Sequence, residues 1–158
     1  MGAMTTSKAN EKDWFWEIVE SSQRNLVTLS RKLESLSKDE LVRYQVQCWH
    51  AKEDVNPYSQ TYDLEASGLT CSEDDADDFA AWVVGEGRTF CEKVRDNPDN
   101  IRKFFDTYEE ADGSSWDETV DDPEYHGNQR LDFLANAVYS KKFDEDFAEA
   151  VDAALDEE

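Results

Sequence analysis

The sequence predicts a mainly α-helical fold, a single-domain bundle of about six to eight helices with little or no sheet, because apolar residues recur at three- and four-residue spacing along most of the chain. Two further observations point the same way. Ser37 and Ser72 each stand before an acidic first turn, as helix caps do. The alternating apolar and polar runs that half-buried strands require are nearly absent. The chain has 158 residues, a length that suits one domain, expected here over residues 11–158. Five Trp, six Tyr and eight Phe supply a core, and three Pro with six Gly are too few for wholesale disorder. Met1-Gly2-Ala3-Met4 reads as a vector-derived remnant with the natural start at Met4, so residues 1–4 carry no information about the fold.

Asp13 reads as the cap of a first helix whose apolar stripe is Trp14, Phe15, Ile18 and Val19, with Trp16 off the stripe and partly exposed. A second helix, from about Asn25 to Ser35, aligns Leu26, Leu29, Leu33 and Leu36 on one face. Ser37 and Glu40 form a capping box that opens a third, through Leu41, Tyr44, Val46, Cys48 and Trp49 to about Ala51. Asn56-Pro57 breaks it, and a short helix from Tyr58 to about Ala66 stops at Ser67-Gly68.

Ser72, with Glu73, Asp74 and Asp75 in the first turn, opens a helix through Phe79, Trp82 and Val83 that bends between Gly85 and Gly87 and resumes through Phe90, Cys91 and Val94. Asp96-Asn97-Pro98 ends it, and Asp99 to about Tyr108 is helical around Ile101, Phe104 and Phe105. Residues 109–126 read as a polar loop tied down by Trp116 and Val120. Two helices close the chain: one around Leu131, Phe133, Leu134, Ala137 and Val138, and one from Asp144 to about Leu155. The last places Phe143, Phe147, Val151 and Leu155 inward and Asp144, Glu145, Glu149, Asp152 and Asp156 outward.

The net charge of −22 is unevenly spread. Residues 1–70 carry 11 acidic and 8 basic side chains, and residues 71–158 carry 27 and 8. Such a field repels nucleic acid and anionic membranes and speeds encounter with basic partners. No run approaches the roughly 18 apolar residues of a membrane span, and no leader is evident, so a cytoplasmic location is expected. Cys48, Cys71 and Cys91 are odd in number and widely spaced, which suits reduced, mostly buried thiols rather than a disulfide framework or a metal knuckle.

Asp13-Trp14-Phe15-Trp16-Glu17, Leu36-Ser37 with Glu40-Leu41, and a central run stand out together. That run is Cys71-Ser72-Glu73-Asp74, then Phe79, then Trp82-Val83-Val84-Gly85-Glu86-Gly87-Arg88 with Phe90, closing at Asn97-Pro98-Asp99. In these pieces the chain resembles the bacterial domain-of-unknown-function family 4240, over roughly residues 11–105. The resemblance implies a helical domain with no assigned activity and no known catalytic residues. The acidic segment beyond has no counterpart in it.

No catalytic constellation is recognisable. Glu73-Asp74-Asp75 with Asp77-Asp78 could offer oxygen ligands to a cation, but neighbours one apart on a helix diverge, and a solvated, capped helix start is the better reading. The acids of residues 109–118 miss the alternating positions of a calcium loop. Cys48 and His50 lie two apart, too far around a helix to act together. Gly85-Glu86-Gly87-Arg88 lacks the preceding strand and the lysine of a phosphate cradle. No cofactor or metal is expected. The favoured reading is a non-enzymatic acidic protein that binds a basic protein partner, as an immunity protein or a nucleic-acid-mimicking inhibitor does. Its candidate contact residues are Glu73, Asp74, Asp77, Asp78, Trp116, Asp144, Glu145, Glu149 and Asp152. The alternative is a housekeeping or regulatory domain whose acidity is general solvation, as in salty cytoplasm, since Asp exceeds Glu and Lys is scarce.

Overall fold

The computed structural model describes residues 8–58, 71–110, 131, 133–143 and 145–157, and every described element is helical. In chain order these are α1 (Lys8–Ser21), α2 (Leu26–Glu34), α3 (Lys38–Val55), α4 (Glu73–Gly85), α5 (Arg88–Asp96), a 3₁₀ turn (Pro98–Asn100), α6 (Ile101–Glu110), α7 (Leu134–Lys142) and α8 (Phe147–Asp156). The all-α fold class is as the spacing of apolar residues requires. Two compact units emerge, one drawn from residues 1–48 and 118–158 and the other from 49–117.

In the first unit α2 packs against α1 and α7, and α7 packs against α8. Asn25 caps α2 by accepting the Thr28 N–H at 2.9 Å, and Leu26, Val27, Leu29 and Leu33 are buried, each contributing about 1.5–3 kcal/mol. The far end of α2 is closed by Lys142, whose Nζ donates to the carbonyl oxygens of Glu34 at 2.7 Å and Leu36 at 3.1 Å. The capping box forms as read: the Ser37 N–H donates to Glu40 Oε1 at 2.9 Å, and the Glu40 N–H donates to Ser37 Oγ at 3.2 Å. Gln47, itself buried, donates to Glu11 at 3.4 Å, and the Phe15 and Tyr44 rings meet with centroids 5.2 Å apart, which seats α1 on α3.

Several local expectations are corrected. Asp13 lies inside α1 rather than at its start, because the helix begins at Lys8. Trp16 is buried, 7 % exposed, its ring edge-on to Phe15 at 5.0 Å, while Trp14 is only half-buried. Four residues more than predicted belong to α3, which runs to Val55 before Asn56-Pro57 stops it; the carboxamide Oδ1 of Asn56 accepts the Tyr58 N–H at 2.8 Å in a tight turn. Phe133 and Ala137 are exposed rather than inward. The last helix starts at Phe147 with Asp146 as its cap, so Glu145 precedes it. The short helix expected beyond Tyr58, and the loop expected beyond Glu110, lie outside the described residues.

In the second unit α4 packs on α5 and α6, with the 3₁₀ turn against both of the latter. Gly85 to Gly87 is a break rather than a bend. The Glu86 N–H still bonds back to the Trp82 and Val83 carbonyls at 3.1 and 3.0 Å, but Gly87 takes φ 105°, a conformation only glycine adopts readily, and α5 restarts at Arg88. The core is aromatic. Phe79 meets Phe105 at 5.3 Å and Tyr108 at 5.7 Å, and Trp82 meets Phe90 at 5.6 Å in an edge-to-face arrangement.

Candidate interaction surface

The acidic start of α4 is built by Ser72, whose Oγ accepts the Asp75 N–H at 3.0 Å. That cap turns Glu73, Asp74 and Asp75 toward the positive end of the helix dipole, where they are favourable. Glu73, Asp74, Asp75 and Asp78 are exposed. Asp77 is half-buried, and Lys52 of α3 pairs with it at 2.8 Å.

The Tyr58 hydroxyl donates to the carbonyl oxygen of Cys71 next to this cap. Burial, then the charges of Asp75 and Glu109, push the Cys71 thiol up from 9.0. The end of α6 is therefore within electrostatic reach of the start of α4. Burial likewise raises the Cys91 thiol to about 12, so neither group is poised as a thiolate nucleophile. Cys48 and Cys91 are buried and Cys71 is half-buried. His50 packs against Trp49 at 5.3 Å between ring centroids.

In the other unit, Asp146 accepts the Glu149 N–H at 3.2 Å to start α8, and Glu149, Asp152 and Asp156 are exposed along it. Glu145 is engaged within the fold: the Tyr139 hydroxyl donates to its Oε2 at 3.0 Å and Lys38 pairs with its Oε1. The Lys38 ammonium, then the Tyr139 hydroxyl, hold the Glu145 carboxyl below its ordinary 4.5.

The predicted contact residues thus fall into two groups, Glu73, Asp74, Asp77 and Asp78 at the start of α4, and Glu145, Glu149 and Asp152 around α8. Trp116 and Asp144 lie outside the described residues. No group of three or more His, Cys, Asp or Glu side chains among the described residues is arranged to hold a metal ion, and no helix among them is long and apolar enough to cross a membrane.

Sequence reasoning missed Trp49, Tyr58 and Phe133, which are the large apolar side chains left exposed among the described residues, at 45, 46 and 48 %. Trp49 was readable in principle, since it lies about 100° around the helix from Cys48 on the core stripe. It also missed the link from Lys38 to Glu145, which joins residues far apart in the chain.

No curated protein and no solved structure matches the chain. The family model described as protein of unknown function (DUF4240) matches residues 11–141, so the resemblance reaches beyond residue 105, through α6 and almost all of α7. With most of its length matched, the chain belongs to the DUF4240 family.

Proposed function

We propose that this protein is a non-enzymatic, acidic interaction protein of the cytoplasm that binds a basic protein partner, as an immunity protein or a nucleic-acid-mimicking inhibitor would. The observation that carries the reading is where some carboxylates stand. Glu109 and Glu110 close α6, and Asp156 and Glu157 close α8; all four are exposed, and neither last turn holds a basic residue. There the helix dipole presents its negative end, and each such charge costs the fold about 0.3–1 kcal/mol at low salt. Carboxylates that the fold gains nothing from are accounted for by an external cation.

Each unit also carries exposed acids, at the α4 start in one and along α8 in the other, and such charge steers a basic surface into contact and weakens as salt rises. The test is charge reversal. Glu73→Lys with Asp74→Lys, and separately Glu149→Lys with Asp152→Lys, are compared with wild type for retention of basic proteins from source-cell lysate at low salt. Loss of a retained basic protein in either pair supports the reading, and equal retention by both pairs overturns it. A domain whose acidity is general solvation would instead gain order as molar KCl is added and retain no specific protein.

A further inference from the structure

The helix α8 has ten residues and buries only Phe147 and Val151, whereas α4 buries eight of its thirteen. Helices shorter than about 12–15 residues are marginal on their own in water, so α8 holds its shape through docking on α7. Its last turn is acidic, which works against it. Two attachments are visible. One is apolar, the Phe147 ring against Tyr139 with centroids 4.7 Å apart. The other is polar and lies at the entry to the helix, where Glu145 receives the Tyr139 hydroxyl and the Lys38 ammonium. Lys38 and Lys142 also approach the Phe143 ring, at 5.9 and 5.5 Å from its centroid, so both cations sit by the residue that follows α7.

Lys38 is the first residue of α3, remote in sequence, and through Glu145 it reaches the connection just before α8. Its side chain is 43 % exposed and that of Glu145 is 52 % exposed, so the pair is open to competing ions and to modification of the amine. We propose that α8 is a detachable arm, latched by the Tyr139–Glu145–Lys38 relay, and that loss of the Lys38 charge makes it open more often while α2 and α4 stay folded. Opening of this kind draws on the least-anchored element of a fold. Opening frees an acidic segment that forms an amphipathic helix again only against a partner, with Phe147 and Val151 on one face and Glu149, Asp152 and Asp156 in water. That is the form in which an acidic helix lies in a basic-rimmed groove.

The test is amide hydrogen exchange of the full chain read by mass spectrometry, in wild type, Lys38→Met and Tyr139→Phe. The second variant keeps the ring and removes only the hydroxyl. In both variants the amides of Glu149–Glu157 exchange about threefold faster, in line with the weak energies of exposed pairs, and those of α2 and α4 are unchanged. Wild type shows the same selective rise between 0.05 and about 1 M sodium chloride, at which the Debye length falls to about 3 Å, and Lys38→Met shows none. Unchanged α8 exchange in both variants, or one common acceleration of α2, α4 and α8, overturns the proposal.

Discussion

The Cys91 thiol lies 3.9 Å from the carbonyl oxygen of Ala51, tying α5 to the last part of α3. With Cys91 pushed to about 12 chiefly by burial, the group stays protonated and shielded at neutral pH. Cys71, half-buried beside the α4 cap, is the accessible thiol. A disulfide-exchange reagent at pH 8 should therefore label Cys71 in native protein and spare Cys48 and Cys91 until denaturant is added. Equal labelling of Cys71 and Cys91 in native protein contradicts this packing. Because the folded Cys91 thiol holds its proton more tightly than the unfolded one, its contribution to stability is full below the ordinary 9.0 and declines as pH rises from there toward 12.

Phe79 is fully buried, and its ring lies within 6.3 Å of Trp82, Phe105 and Tyr108. Phe79→Ala removes the ring these three pack on. A loss of about 3–5 kcal/mol in urea unfolding is expected, and a loss under about 1 kcal/mol would show that the cluster is not the core of its unit.

Ser72→Ala removes the acceptor for the Asp75 N–H, and Ser37→Ala the acceptor for the Glu40 N–H. Each should cost about 1 kcal/mol. By contrast Gln23, at φ 52° and followed by Arg24 at φ 58°, holds a left-handed conformation without being glycine. Gln23→Gly should be neutral or stabilise by up to about 1 kcal/mol, measured by the same unfolding midpoint.

The latch on α8 has a defined pH window. The folded Glu145 carboxyl is held down, so its contribution is present above the ordinary 4.5 and lost as pH falls below it. Lys38 is held up, first by its hydrogen bond to Glu145, so its contribution is present below the ordinary 10.5 and lost as pH rises past it. Exchange protection of α8, corrected for intrinsic rates, should be flat between these limits and fall selectively on the acid side. A fall centred near pH 7 would implicate some other group.

The local layer of the fold was legible because caps and stripes are written within four residues of each other: Ser37 and Ser72 both cap as read, and the second helix starts where its leucine stripe placed it. Asp13 misled because an acid before aromatics resembles a cap, although α1 continues back to Lys8. Trp16 was misplaced since a single stripe ignores a helix covered on more than one side. The acidic character of the candidate surface was plain from composition, but its internal consumption was not. Asp77 is taken up by Lys52 and Glu145 by Lys38, and such pairs depend on which helices pack together.

If the acids at helix ends serve a partner rather than the fold, then Glu110→Lys and Asp156→Lys should move stability and binding in opposite directions. The most direct measurement is unfolding free energy and lysate capture on the same double variant. A gain of about 0.5–2 kcal/mol together with loss of a salt-released basic protein is the predicted result. Undiminished capture of that protein, or no basic protein held by wild type at all, would contradict the proposed function.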